Sequence, residues 1–214
     1  MSLAVVYTRA SLGVQAPGVS VEVHISNGLP ALTLVGLPET TVKEARDRVR
    51  SAIINCGFTF PAKRITVNLA PADLPKEGGR YDLSIALAIL VASEQLQGDK
   101  LEAYEFLGEL GLSGALRSVN GAIPAALEAQ KEGRILILPQ NNQMEMTLLD
   151  PGVAQIAGHL LQVCAFLQGE DSLPPIDYPT EPPASMHQPD IAEIIGQEQS
   201  KRAPGSQQAA GRAG

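Results

Sequence analysis

The sequence predicts an α+β protein in which a mixed β-sheet packs against helices. Apolar segments with strand-like alternation interleave with segments of helical periodicity along the chain. Alternation of strands and helices favours parallel pairing, whereas a tight turn such as Gly111–Gly114 joins antiparallel neighbours. Because both kinds of connection occur, we expect a sheet with parallel and antiparallel strands.

Composition limits the classes of function. The 214 residues are 44% hydrophobic and carry a net charge of -7, so the chain can bury a core but does not attract nucleic acid as a whole. Aromatic residues make up only 4%, and there is no Trp, which leaves little material for stacking nucleic-acid bases. Any contact with DNA must therefore come from a local basic surface.

Cysteine usage and hydropathy indicate a cytoplasmic protein. Cys56 and Cys164 are isolated in apolar surroundings, which is typical of buried free thiols, and no Cys/His spacing fits a metal site. The longest apolar run, near Leu83–Ala92, is too short to span a bilayer, and the N-terminus lacks a signal-peptide pattern. We expect no metal and no membrane partner.

The N-terminal third reads as strands followed by one helix. Val19–Ser26 alternates apolar and polar residues and ends at a tight-turn signal, Asn27-Gly28. Thr41 and Glu44 fit a capping box at the start of a helix, and Gly57 is a suitable left-handed end for it. The expected strands are Leu3–Tyr7, Val19–Ser26, Leu32–Val35 and Arg64–Leu69.

The middle of the chain centres on a very apolar helix. Leu83–Gln95 is apolar nearly all round, so it should be central and buried, with Asp82 as its N-cap. A hairpin of Phe106–Leu110 and Ala115–Val119 should follow. The later expected elements are a helix from Gly121 to about Lys131, a strand over Arg134–Leu138, short helical turns within Gln140–Leu149, a strand over Gln155–Ala157 and a helix over Gly158–Leu167.

The C-terminal part changes in texture. Residues 169–189 hold six prolines and few apolar side chains, which is typical of a linker. Residues 190–203 again have a sequence pattern typical of a helix. Residues 204–214 lack the apolar pattern of a segment that packs in a core. The predicted divisions are a domain over 1–168, a linker over 169–189, the start of another module over 190–203 and a divergent or artificial tail over 204–214.

The glycine-rich loop Pro75–Asp82 precedes the apolar helix. Its backbone N–H groups could hold an anion, but a turn whose Asp82 caps the helix is the favoured interpretation. No phosphate-binding loop of the G-x-x-x-x-G-K-[ST] pattern occurs in the chain.

A second candidate site is a basic segment. Between Lys43 and Arg64 the chain carries six basic and two acidic residues, a local surplus of positive charge in an acidic protein. Lys43, Arg46 and Arg50 share one stripe of a helix and could meet phosphates or an acidic partner. An ordinary solvated helix face with local ion pairs is an equally good interpretation.

Two blocks of sequence resemble a known family. ITVNLAPADLPKEGGRYDLSIALAIL and FLGELGLSGALRSVNGAIPAALEA resemble the N-terminal domain of ComM/YifB-type proteins, which are bacterial Mg-chelatase-like AAA+ ATPases. The similarity covers about Leu3–Leu167. DIAEIIGQEQSKR, from Asp190, resembles the segment that opens the AAA+ module of that family.

The resemblance implies a fold like domain 2 of ribosomal protein S5, which the protease domain of Lon shares. It places the Lon-type nucleophilic serine at Arg80 and the Lon-type catalytic lysine at Ile123. Arg80 cannot act as a nucleophile and Ile123 has no proton chemistry, so the chain is expected not to be an enzyme. ATP and Mg²⁺ would belong to an AAA+ module after residue 202, and no cofactor is expected in these residues.

The family resemblance also implies a role in natural transformation, with branch migration of recombining DNA by a hexamer. This domain would supply assembly contacts, DNA contacts or both. The candidate residues for those contacts are Lys43, Arg46, Arg48, Arg50, Lys63, Arg64, Lys76 and Arg80.

Two other functions stay open at this point. One is a Lon-like peptidase that uses Ser84 with Lys76, although neither reach nor a positioned base is evident. The other is an accessory module of a Mg-chelatase-type ATPase, which rests on the family resemblance alone.

Overall fold

The computed structural model describes residues 2–36, 39–74 and 78–179, without the side chains at positions 2, 39 and 40. Pro75, Lys76 and Glu77 lie outside the described residues, as do the predicted helical segment 190–203 and the tail 204–214. One compact unit extends from the N-terminus to Tyr178. The proposed division into domain, linker and second module therefore stays a prediction.

Among the residues that the structure describes, seven strands form one sheet and two short strands form a separate hairpin, and with the strands numbered along the chain as below the sheet order is β3-β4-β2-β1-β5-β8-β9. The strands of the sheet are β1 Ser2–Arg9, β2 Gly18–Ser26, β3 Ala31–Val35, β4 Arg64–Ala70, β5 Tyr104–Phe106, β8 Ile135–Pro139 and β9 Ala154–Ala157. The hairpin consists of β6 Glu109–Leu110 and β7 Leu116–Arg117.

Five α-helices are present in the described residues. They are α1 Glu39–Asn55, α2 Asp82–Ala92, α3 Ala122–Lys131, α4 Gln143–Met146 and α5 Leu160–Gln168. None of them is both long and apolar enough to cross a bilayer.

The sheet mixes parallel and antiparallel pairs, and its edge strand β3 runs parallel to β4. β2 pairs antiparallel with β1 and β4, whereas β5, β8 and β9 run parallel to their neighbours. Helices α1, α2 and α5 bury one face in a large core, and α3 and α4 cover the other face of β8 and β9. Parallel strands are usually covered on both faces, so this arrangement follows from their pairing. The mixed α/β architecture predicted from sequence is confirmed, while its likeness to ribosomal protein S5 stays a prediction.

Helix α2 is the centre of the core. Ten of its 11 residues are buried, and it packs against β1, β2 and α1. An all-apolar helix needs apolar contacts around its whole circumference, and this position supplies them. The prediction of a central buried helix is confirmed, although the helix ends at Ala92 rather than Gln95. Gln95 instead exchanges hydrogen bonds with the main chain of Thr59.

The predicted strand Phe106–Leu110 is divided in two. β5 ends at Phe106 within the main sheet, and β6 begins at Glu109 in the hairpin. Between them Gly108 donates to the main-chain oxygen of Arg80 and accepts from the N–H of Leu83. These hydrogen bonds connect Gly108 to the start of α2, so the chain leaves the main sheet between β5 and β6.

Both predicted N-caps are wrong, whereas Gly57 has the left-handed conformation predicted for the end of α1, with a φ of 83°. Helix α1 begins at Glu39, so Thr41 lies inside it and cannot form the capping box with Glu44. Asp82 is the first residue of α2, and its carboxylate binds Arg48 and the N–H of Leu110 instead of capping the helix. The carboxylate thus binds a partly buried arginine from another helix in place of the local N–H groups.

Candidate nucleic-acid interface and the turn before α2

Three of the predicted basic residues meet around one cavity. Arg46, Arg50 and Lys63 line a cavity of about 480 Å³ between α1, the start of β3 and the segment before β4. Asp47 is the one acidic residue among the residues that line it. The other lining residues are Pro30, Ala31, Leu32, Phe60, Pro61 and Ala62. We call this cavity the basic groove.

The helical repeat explains why α1 faces the groove with two arginines. Arg46 and Arg50 are four residues apart, about one turn of the helix, on an exposed stripe that flanks the buried positions Ala45 and Val49. Arg46 Nε lies 3.7 Å from Asp47 Oδ1, and both side chains are largely exposed. An exposed pair of this kind is weak, so Arg46 stays available to another anion.

Arg50 is held in place by an aromatic ring. Its guanidinium carbon lies 4.7 Å from the centroid of Phe60, which itself packs against the core. A cation over a ring face is attracted by the ring quadrupole, and the contact also restricts the arginine. The groove therefore presents at least one oriented guanidinium to solvent.

The remaining exposed candidates lie elsewhere. Lys43 is exposed one turn before Arg46 but does not line the groove. Arg64 alternates with buried Ile65 along β4, so its side chain lies on the sheet face away from α1. The structure thus separates Arg64 from its sequence neighbour Lys63.

Arg48 differs from the exposed candidates because it is engaged in an ion pair, and its predicted role in binding stays a prediction. Its Nε donates to Oδ2 of Asp82 at 2.6 Å, and its Nη1 lies 3.6 Å from Glu44. The Arg48 side chain is 18% exposed and the Asp82 side chain 1%. This ion pair connects α1 to α2 beneath the surface.

Burial perturbs the pKa of Asp82. Desolvation raises that pKa to about 7, against the opposing effects of Arg48 and of the N–H of Leu110, and nearby Glu109 raises it further. The carboxylate raises the pKa of Arg48 by its hydrogen bond, so Arg48 stays charged. The two shifts have different causes, because desolvation dominates for the Asp82 carboxyl whereas the hydrogen bond to Asp82 outweighs desolvation for Arg48.

The turn before α2 is tightly packed. Gly78 has a positive φ of 72°, and Gly79 begins a short 3-10 turn that ends at Tyr81. A Cβ atom on Gly79 would lie 2.5 Å from Cγ of Glu109, so a larger residue there requires the Glu109 side chain to move. Lys76, the candidate in the same loop, lies outside the described residues.

Arg80, another of the predicted contact residues, is buried, and its role in binding stays a prediction. It is 7% exposed, and its Nη1 donates to the main-chain oxygen of Asn120 at 3.2 Å. Its Nε and Nη2 are buried without a hydrogen-bond partner. Burial lowers the pKa of Arg80 from its ordinary value.

The two positions assigned by resemblance to Lon lie on neighbouring elements. Arg80 contacts Asn120, three residues before Ile123, and Ile123 lies in the first turn of α3 and packs against the core. Ser84 is fully buried, and its hydroxyl donates to the main-chain oxygen of Phe106 at 2.7 Å. This argues against Ser84 as a nucleophile, because the hydroxyl has no access to a substrate and its proton is directed at a main-chain carbonyl, which is not a base.

A buried ion network escaped the sequence analysis. Arg9 and Glu105 are 2% and 1% exposed, and two hydrogen bonds of 2.6 and 2.8 Å join them. Glu132 and Arg134 extend the network at the surface. Arg9 ends β1 and Glu105 lies in β5, and their separation of 96 residues gives no local signal.

Within the described part of the chain, no cluster of three or more His, Cys, Asp or Glu residues could hold a metal ion.

Comparison with known proteins defines the class. The model of a family described as subunit ChlI of Mg-chelatase matches residues 21–142, a range that includes the basic groove, the turn before α2 and α3. The chain therefore belongs to this family of Mg-chelatase-subunit-like proteins.

Within that class the chain corresponds to the N-terminal part of YifB/ComM proteins. It is 61% identical over 202 residues to uncharacterized protein YifB of Escherichia coli, covering 94% of this chain and 40% of that protein. It is 61% identical over 203 residues to the Salmonella typhimurium YifB, with the same coverage. It is 55% identical over 207 residues to competence protein ComM of Haemophilus influenzae, covering 95% and 41%. The chain spans about two fifths of the length of these relatives.

Proposed function

We propose that this chain is a non-catalytic N-terminal module of a DNA-remodelling AAA+ ATPase of the ComM type, and that it contacts DNA through the basic groove. The observation that carries the proposal is the convergence of Arg46, Arg50 and Lys63 on one cavity with a single acidic neighbour. The three cations come from two separate chain segments, so the fold itself concentrates positive charge there.

Phosphate chemistry suits this arrangement. Two guanidinium groups one helical turn apart can each bind a phosphate oxygen, and Lys63 adds a third positive charge across the groove. The net charge of -7 repels DNA from the molecule as a whole, so binding should be confined to this surface. The low aromatic content favours contacts with the DNA backbone over base stacking.

The relatives support a role in transformation. One relative, 55% identical, is named competence protein ComM. By analogy, the parent protein would use an AAA+ module with ATP and Mg²⁺, assemble as a hexamer and promote branch migration of recombining DNA. This chain would then supply a DNA contact, assembly contacts or both.

The turn before α2 supports the non-catalytic part of the proposal. Arg80 and Ile123 stand at the Lon-type catalytic positions, and neither side chain can perform serine–lysine chemistry. The nearest serine on α2, Ser84, is sealed in the core by its bond to Phe106.

Anisotropy titrations of labelled single-stranded and branched DNA test the proposal. The wild type is compared with Arg46→Glu/Arg50→Glu at about 50 and about 200 mM salt, because contacts with phosphate weaken as salt rises. The matched control is Arg117→Glu/Lys131→Glu, which changes the net charge equally at two exposed positions outside the groove.

We expect the groove variant to lose at least about tenfold in affinity and the control variant to retain most of it. For three phosphate contacts on single strands, the logarithmic salt slope of the wild type should be about -2 and should fall towards zero in the groove variant. Equal affinity of the wild type and the groove variant would show that the groove is not the DNA contact.

A further inference from the structure

A second cavity adjoins the basic groove. It has a volume of about 430 Å³, and Pro61 and Lys63 line both this cavity and the groove. Ligand sites commonly measure about 300–1,000 Å³, so this cavity is large enough for the base of a nucleotide. Its other lining residues are Ile25, Asn27, Thr59, Ala92, Ser93, Glu94 and Gln95. We call it the polar cavity.

Hydrogen bonds hold one wall of the polar cavity in place. The side-chain amide of Gln95 accepts from the main-chain N–H of Thr59 at 2.8 Å and donates to the main-chain oxygen of Thr59 at 2.8 Å. Its nitrogen also donates to Oγ of Ser93 at 2.8 Å. These bonds join the end of α2 to the segment between α1 and β4. The wall is therefore formed in advance, which lowers the entropy cost of binding a ligand.

Two polar side chains of the polar cavity are available to a ligand. Asn27 and Glu94 are exposed, and within the described part of the chain neither side chain has a hydrogen bond or an ion pair. A carboxylate accepts hydrogen bonds, whereas an amide both donates and accepts them. Together they match a base that presents an amino group beside a ring nitrogen, as adenine and cytosine do.

The backbone of Glu94 has an unusual conformation. Its φ of 62° lies in the left-handed region, and no other non-glycine residue among those described has a positive φ. Glu94 directly follows Ser93, the C-cap of α2, at the position where glycine commonly ends a helix because a Cβ atom is unfavourable there. A glutamate at this position costs stability and brings a carboxylate to the polar cavity. Local strain of this kind is typical of functional positions.

We propose that the polar cavity binds the base of a nucleotide whose phosphate is held at Lys63, and that it favours bases with an exocyclic amino group. This inference rests on the proposed function, because it continues the path of DNA that occupies the basic groove. Lys63 lines both cavities, so it can bind the phosphate that joins two successive nucleotides. Glu94 accepts from the amino group, and Asn27 donates to the neighbouring ring nitrogen. Base pairing occupies this edge in a duplex, so the ligand is a single strand.

Anisotropy titrations of short labelled single strands test the proposal. The three ligands are strands of about eight nucleotides that carry only cytosine, only thymine or no base, since a site of this kind covers only a few nucleotides. We expect the wild type to bind the cytosine strand at least about fivefold more tightly than the thymine strand, because thymine lacks the amino group. The strand without bases should bind least.

Glu94→Gly separates recognition from stability. Removing the Cβ atom from a left-handed position should raise the midpoint temperature of unfolding by about 2–4 °C. The same change should lower the ratio of cytosine to thymine affinity to below about twofold, because the carboxylate is lost. The ratio is used because a general gain in affinity from removing a negative charge cancels in it. Asn27→Ala should also lower the ratio, and Glu170→Gln, an exposed change outside both cavities, should keep it.

The outcomes separate this inference from the proposed function. Equal affinity of the wild type for all three strands would overturn the base site, and so would a cytosine preference that survives in both Glu94→Gly and Asn27→Ala. In either case a loss of binding in Arg46→Glu/Arg50→Glu would leave the DNA contact at the basic groove in place. If the wild type binds no DNA, the DNA contact itself is overturned, and the base site with it.

Discussion

The Nε atom of Arg48 on α1 lies 2.6 Å from the Oδ2 atom of Asp82, the first residue of α2. The carboxylate is almost completely buried, and the main-chain N–H of Leu110 also donates to it. One carboxylate thus joins two helices and the β6–β7 hairpin. Its charge is therefore important for the stability of the whole domain.

Removing Arg48 should destabilise the domain most at high pH. In Arg48→Met the Asp82 carboxylate loses its counter-charge, and the free energy of unfolding should fall by about 3–5 kcal/mol at pH 8. At pH 5 the loss should be smaller, because Asp82 can then be neutral. Urea unfolding at both pH values measures this difference. An equal loss at pH 5 and pH 8 would show that the carboxylate's charge is not the cause.

Asp82 itself should make stability decrease with rising pH. Its pKa is raised from 3.8 to about 7, so the folded state binds this proton more tightly than the unfolded state does. The resulting stabilisation is complete below pH 3.8 and is lost as the pH rises through about 7. The free energy of unfolding of the wild type, measured relative to that of Asp82→Asn, should therefore decrease between pH 5 and pH 8. A shift in the opposite direction contradicts the raised pKa.

The Arg9–Glu105 pair should be sensitive to the loss of either partner. Glu105→Gln leaves the buried Arg9 with only the more exposed Glu132 as a carboxylate partner, and we expect a loss of about 3–5 kcal/mol in unfolding free energy. Arg117→Gln breaks the exposed pair with Glu109 and serves as the control, with an expected change within about 1 kcal/mol. Similar losses in the two variants would mean that burial of the first pair has no special cost.

Adding one methyl group at Gly79 should destabilise the domain. In Gly79→Ala the new Cβ atom would overlap the Glu109 side chain, and we expect a loss of about 1–3 kcal/mol. Glu109→Ala should relieve the overlap, so the double variant should be more stable than the sum of the two single changes predicts. Additive losses in this double-mutant cycle would place the cause elsewhere.

Ser84 provides a direct test of the peptidase alternative. We expect no hydrolysis of an unfolded protein substrate by the wild-type chain, and a loss of about 1–3 kcal/mol of stability in Ser84→Ala, because the Phe106 carbonyl loses its donor. Mass spectrometry of the substrate and thermal unfolding measure the two effects. Hydrolysis by the wild type that disappears in Ser84→Ala would revive the alternative.

The sequence predicted the parts of the fold that depend on local pattern. The uniform apolar character of α2 correctly placed it at the centre, and the alternation in β2 correctly gave its buried face. The division between β5 and β6 could not be predicted, since it depends on bonds from Gly108 to residues more than 20 positions away.

The sequence shows which residues are charged but does not show which way their side chains point. Arg48 and Arg50 are two residues apart on α1, yet Arg48 faces a buried carboxylate and Arg50 faces an aromatic ring near solvent. The difference arises from what packs on each side of the helix. The burial of Arg80 likewise depends on a distant part of the chain, because Arg80 donates to the main-chain oxygen of Asn120 in the segment before α3.

The position of β4 in the sheet has a consequence for the order of folding. β4 lies between β2 and β3, although β2 and β3 are the elements that adjoin in sequence. In a nascent chain β3 cannot pair with β2 through a local hairpin. It can pair only with β4, after α1 and β4 have been synthesised. Such long-range pairing delays assembly, so residues 31–70 should join the β1–β2 hairpin together and not strand by strand.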